Sequence, residues 1–246
     1  MKRIFLVTLL CMLLLAVSAL AKENITIAVS MNFVNAFQEI ARSFDARTGI
    51  PVEATYASTG HLYAQIMSGA PYDLFLSADE EKPDLLHRAG RADVPFVYAT
   101  GQVVLWTMRE DLCGAANWRD ILVKTGLRKI AVVNPKTSPY GAAANDALRK
   151  AGLLERVQEK LVFAQTTAQA FQYAATGSVD AGFIALSSTL SEEGRKGCFF
   201  SVDEALPVIQ SACLLKRTNR QEATGEFIRF LSSPEAMVII RKHGYR

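Results

Sequence analysis

The sequence predicts an α/β protein of two lobes, each a mostly parallel sheet flanked by helices, the two joined by two crossings. Three observations carry this. Short apolar runs alternate with helical runs of 9 to 12 residues, the rhythm of βαβ units. The alternation comes in two series, one opening at Ile25 and the other near Asn117. Two stretches, 96–108 and 202–209, then read as crossings, the second returning the last helices to the first lobe.

Taken in order, the chain opens with Lys2 and Arg3, an apolar run over 4–17 and the triplet Ala19-Leu20-Ala21. This is the pattern of a signal peptide cleaved after Ala21. The run is too short to span a bilayer comfortably, and Cys11 lacks the small-residue surroundings of a lipid-anchor site. In the first series, 25–30 is a buried strand, and Phe33, Ala36, Phe37, Ile40, Ala41 and Phe44 recur at helical spacing. Thr48-Gly49 stops that helix. A strand over 51–56, a helix over 62–67, a strand over 72–76 and a helix over 80–88 with an acidic start follow. The second series runs helix 117–124, strand 129–133, helix 142–150, strand 161–164, helix 168–175 and strand 180–185. A last strand, 208–215, precedes helices over 222–231 and 234–242. The expected division is leader 1–21, first lobe 22–102 with 205–246, and second lobe 103–204.

Composition narrows the function. The 27 basic and 24 acidic residues include Lys2 and Arg3 of the leader, so the remainder is close to neutral, with no basic stripe for nucleic acid. Beyond the leader, Cys113, Cys198 and Cys213 match no metal spacing; in an oxidising compartment one pair can bridge, and the spacing does not say which.

In open α/β sheets ligands collect beyond the carboxyl ends of strands, where helix N-termini present free amides. Four such junctions share a composition: Ser30-Met31-Asn32, Ser58-Thr59-Gly60, Ser138-Pro139-Tyr140-Gly141 and Gln165-Thr166-Thr167. Singly, each is an ordinary cap or turn. Together, two from each expected lobe, they form the walls of a cleft lined with neutral donors. None contains Asp, Glu, Lys, Arg or His, although His61 and Lys136 lie close by. Hydrogen bonds to a charged acceptor contribute about 1.5 to 3 kcal/mol each, so five to seven donors could hold a deprotonated oxyanion at nanomolar strength, about −12 kcal/mol. A protonated phosphate would need an acceptor that these loops supply only through hydroxyl oxygens. The composition therefore leans to a tetrahedral dianion of the sulfate or molybdate type.

The stretches "GAPYDLFLSADEEKP" from Gly69, "NPKTSPYGAAA" from Asn134, "ATGSVDAGFIAL" from Ala175 and "FLSSPEAMVIIRKHGY" from Phe230 resemble the periplasmic molybdate-binding proteins of ABC importers. The resemblance covers nearly all of the chain after the leader. It implies a two-lobed periplasmic binding fold of type II that closes on molybdate or tungstate and delivers it to a membrane permease, as a monomer, without enzymatic activity or cofactor. Molybdenum would enter only as the oxyanion, with no direct protein ligands. By the same resemblance the first-loop serine of the family falls on Asn32, the second on Thr59 with Ser58 as its neighbour, and the backbone donors of the third and fourth loops on Tyr140 and Thr167. A tyrosine that some members use falls on Ala185, which has no hydroxyl.

Two rival readings remain. Another oxyanion such as sulfate suits the same donors. A secreted hydrolase with a hydroxyl nucleophile lacks the G-x-S-x-G elbow, and His61 lies only three residues from Ser58. Asp79-Glu80-Glu81 reads as a charged first helical turn, and Phe163, Phe171, Tyr173 and Phe183 as core. Thr59→Val is expected to weaken oxyanion binding with little loss of stability, since it keeps the shape of the side chain.

Overall fold

The first apolar run forms β1 (Ile25–Ser30), and a single 3-10 turn (Met31–Phe33) leads into α1 (Val34–Thr48) in a computed structural model that describes residues 24–246. The expected leader lies outside the described residues. Ala36, Phe37, Ile40 and Phe44 of α1 are buried along one face, as their spacing requires. The helix ends at Gly49, which takes the left-handed conformation (φ 66°) and returns its N–H to Asp45 O. Then come β2 (Val52–Ala57), α2 (Thr59–Met67), β3 (Leu74–Leu76), α3 (Glu81–Arg88) and β4 (Phe96–Gly101).

The expected extended run over 96–108 is two strands. It breaks at Gln102, and β5 (Val103–Thr107) joins a different sheet from β4. After it follow α4 (Glu110–Cys113), α5 (Trp118–Val123), β6 (Ile130–Val133), α6 (Pro139–Lys150), α7 (Leu154–Val157), β7 (Leu161–Ala164), α8 (Thr167–Ala175), β8 (Ala181–Ala185), α9 (Leu186–Thr189) and β9 (Cys198–Ser201). The chain then crosses back into β10 (Val208–Leu214), α10 (Gln221–Leu231) and α11 (Pro234–Lys242). Helix α6 starts three residues before the expected position because Pro139 occupies its first turn, where a missing N–H costs nothing.

The strand orders are β2-β1-β3-β10-β4 and β7-β6-β8-β5-β9. In each sheet one strand runs against the rest, β10 in the first and β5 in the second. Each reversed strand is the one that enters its sheet directly from a crossing. Register aligns the strand ends that matter: Ser30 pairs with Ala57, and Val133 with Ala164. The loops after these strands therefore leave at the same level.

Both sheets are covered on both faces. Phe33, Phe37, Ile40, Phe227 and Ile240 pack on one side of the first sheet, and Leu62, Ile66, Phe75 and Leu86 on the other. Trp118, Leu148 and Phe183 cover one side of the second sheet, opposite Trp106, Ala170 and Ile184. Phe44 meets Phe227 edge-on with ring centroids 5.1 Å apart, which fastens α10 to α1. The structure corrects one expected core residue: Phe163 is 55% exposed, since β7 is an edge strand and its side chain points outward. Cys113 and Cys198 form a disulfide that joins α4 to β9, leaving Cys213 buried as a thiol. Among the described residues no helix is long and apolar enough to cross a membrane.

Candidate anion-binding site

All four hydroxyl-bearing junctions lie beyond the carboxyl ends of parallel strands, after β1, β2, β6 and β7. Three of them open helices. The first intrahelical bonds are Leu62 N–H to Ser58 O, Ala142 N–H to Ser138 O and Ala170 N–H to Thr166 O. The amides of Thr59, Tyr140 and Thr167 precede these, so the helix gives them no acceptor of its own. The fourth junction contributes Asn32, in the 3-10 turn after β1. Asn32, Thr59, Ser58, Tyr140 and Thr167 are all buried.

Contacts between the junctions bring them to one place. Ser30 Oγ and Thr59 Oγ1 are 2.8 Å apart, which joins the first loop to the second. Gly60 N–H donates to Thr137 O at 3.0 Å, from the start of α2 to the loop before α6, and so across the two sheets. The turn at Met31–Phe33 also touches the helices α8 and α9 of the second sheet.

The side chain of Asn32 is engaged within the protein. Its Nδ2 donates to Gln210 Oε1 at 2.8 Å and approaches Tyr245 Oη at 3.3 Å, while the backbone carbonyl oxygen of Asn32 accepts from Ser187 Oγ at 3.1 Å and from the Tyr245 hydroxyl. Gln210 continues the cluster, accepting from Tyr98 Oη at 3.1 Å and reaching Tyr140 Oη at 3.5 Å with Nε2. The clustered tyrosines Tyr98, Tyr140 and Tyr245 have hydroxyl pKa values raised by burial, so each stays a protonated, neutral hydrogen-bonding group. This cluster behind the junctions is thus polar, satisfied and uncharged.

Charged side chains begin next to the junctions, with Asp79 following Ala78, whose N–H bonds Thr59 Oγ1. A groove of about 540 Å³ begins at Gly60 and Thr137 and is lined by Asp79, Glu81, Lys136 and Asp146 among others. Asp79 caps α3, accepting from Lys82 N–H at 2.9 Å, with burial holding its carboxyl above the usual range. The acidic triplet is thus a helix start, as its sequence implies.

Ser58 Oγ lies 2.9 Å from His61 Nδ1, a pair with the composition of a nucleophile and base. It is a local contact within the first turn of α2. His61 is exposed, and among the described residues no carboxylate is bonded to its other nitrogen, so the third member of a triad is missing. Among the described residues no group of three or more His, Cys, Asp or Glu side chains could hold a metal ion.

Gln210, Tyr98, Ser187 and Tyr245 are functional candidates that the loop composition did not reveal. One signal was present. Gln210 interrupts the apolar run VIQSACL, and a fully buried amide in such a strand requires partners.

Residues 25–246 match the family described as bacterial extracellular solute-binding protein. The molybdate-binding protein ModA of Rhodobacter capsulatus is 39% identical over 237 residues, 94% of this chain and 91% of that protein. The protein of the same name from Azotobacter vinelandii is 37% identical, covering 94% of this chain and 93% of its own length. A solved structure, the periplasmic molybdate-binding protein of Azotobacter vinelandii, superposes with a TM-score of 0.85 at 33% identity, over 91% of this chain and 99% of that one. With its two five-stranded sheets, its crossings and this similarity along nearly its whole length, the chain belongs to the bacterial extracellular solute-binding protein family.

Proposed function

We propose that this protein captures molybdate or tungstate between its lobes in the periplasm and hands it to the permease of an ABC importer, acting as a monomer without cofactor. The observation that carries the reading is the meeting of uncharged helix starts from both sheets, tied together by the Ser30–Thr59 and Gly60–Thr137 contacts. Amides and hydroxyls, with no charged residue within the four junctions, suit an oxyanion that carries no proton. The backbone amides of Asn32, Thr59, Tyr140 and Thr167 and the Thr59 hydroxyl are the proposed donors. Ser58 contributes less, since its hydroxyl is engaged by His61. The lobes, 22–102 with 205–246 and 103–204, move about the two crossings and bury the ion on closing. The names of the relatives, molybdate-binding proteins at 39% and 37% identity, favour molybdate over sulfate.

Thermal unfolding of the chain from residue 22 with molybdate, tungstate, sulfate and phosphate tests this. A ligand present at 100 times its dissociation constant adds about 2.7 kcal/mol to stability. Molybdate and tungstate should raise the midpoint at concentrations where sulfate does nothing. An equal response to sulfate would reassign the ligand.

A further inference from the structure

Tyr140 has two connections. Its backbone amide opens α6 at the cleft, while its hydroxyl runs the other way, to the strands that flank the two crossings. On one side of that hydroxyl is Gln210 Nε2, at 3.5 Å, on β10 just after the second crossing. On the other is Gly101, the last residue of β4, just before the first. A Cβ at Gly101 would overlap the Tyr140 hydroxyl oxygen and stand 2.9 Å from Gln210 Nε2 and 3.1 Å from Tyr140 Cζ. Gly101 has no positive φ among the described glycines that do, so backbone conformation does not require glycine there; space does.

Gln210 meanwhile holds Asn32, the donor from its own, first sheet, through Oε1. One fully buried amide side chain, at the hinge, thus grips a donor residue of each lobe.

We propose that Gly101 and Gln210 form a seat at the hinge which the Tyr140 hydroxyl must enter for the lobes to close, so that these two residues set oxyanion affinity without touching the ion. Gln210 is a positioning residue, and Gly101 keeps the seat open. The proposal rests on the binding reading above, because affinity here means the free energy of closing on the oxyanion.

The test is a double-substitution cycle read by molybdate titration calorimetry and by small-angle scattering. Gly101→Ala should raise the dissociation constant about tenfold or more, because its methyl fills the seat. Tyr140→Phe removes the atom that the methyl meets; alone it should weaken binding, since it also ends the contact with Gln210, and combined with Gly101→Ala it should bind no more weakly than Tyr140→Phe alone. Gln210→Met, close in volume, should raise the dissociation constant through faster release, while the calorimetric signature of one ion per chain persists. Multiplicative effects of Gly101→Ala and Tyr140→Phe, in a wild-type protein that binds molybdate, overturn the seat. If wild-type protein binds none of the oxyanions, the binding reading fails instead. The seat is then judged by scattering alone: Gly101→Ala must enlarge the radius of gyration and Tyr140→Phe must restore it, and equal radii overturn it.

Discussion

Ser187 donates its hydroxyl to the carbonyl oxygen of Asn32 at 3.1 Å, linking α9 behind the second sheet to the turn behind the first. Both groups are buried. Ser187→Ala removes it while leaving the Tyr245 hydroxyl on the same carbonyl. A net hydrogen bond contributes about 1 kcal/mol, so oxyanion affinity should fall about fivefold, chiefly through faster release. Stopped-flow dissociation of molybdate would show this, and an unchanged release rate would remove Ser187 from the closing contact.

Thr59 illustrates how the structure alters an expectation. Its Oγ1 pairs with Ser30 Oγ and accepts from Ala78 N–H at 3.2 Å, so Thr59→Val would leave a buried amide without its partner. An unsatisfied buried donor costs about 1 to 3 kcal/mol. The unliganded Thr59→Val protein should therefore melt lower as well as bind more weakly, contrary to the sequence-based expectation of a purely functional loss. Thr59→Ser, which keeps the hydroxyl, should restore most of both. Denaturant unfolding of the two variants separates these outcomes.

The Cys113–Cys198 bridge closes a loop of sequence separation 85, for which chain entropy alone implies about 4.5 kcal/mol of stabilisation. Reduction should lower the denaturation midpoint of the second lobe by that order. Cys213 behaves oppositely. Burial pushes its thiol up to about 12, so it is neither ionised nor reachable at neutral pH. Thiol titration of the chain from residue 22 should count no reactive thiol when native, one when unfolded, and three when unfolded and reduced.

Acid should destabilise the second lobe through Asp180. Burial would raise its carboxyl, but the backbone N–H groups of Lys129 and Arg128 and the Arg109 guanidinium, 3.0 Å from Oδ1, hold it below its usual value. A depressed folded pKa stabilises above the unfolded value, near 3.9, and that contribution is lost as pH falls through the folded one. Asp180→Asn should lower stability at pH 7 and flatten its decline below about pH 4. Urea midpoints from pH 7 to pH 2 report both effects, and parallel curves would deny the carboxylate this role.

The sequence showed the two lobes because burial on both faces makes parallel strands continuous apolar runs, as in β1 and β8, and because helix faces repeat as Ala36, Phe37 and Ile40 do. The four junctions were visible because small hydroxyls mark helix starts. The cluster behind them was not. Tyr98, Gln210 and Tyr245 lie far apart in the chain and meet only through the second crossing and the segment after α11, a tertiary fact without local periodicity. Strand β9 escaped notice for a similar reason: CFFS is short, and its pairing with β5 depends on a partner more than 90 residues away. The thiol pairing likewise needed β9 beside α4, which no spacing discloses.

The Gly60–Thr137 bond joins backbone to backbone, so neither partner can swing aside as a side chain would. The mouth of the cleft therefore works as a fixed gauge. Under the proposed binding reading, an ion whose oxygens lie closer to its centre, as in sulfate, would not draw the two loops nearer, and each short reach would stretch a hydrogen bond instead. Choice among equally charged tetrahedra would then be a measurement of central-atom bond length, made largely by peptide groups.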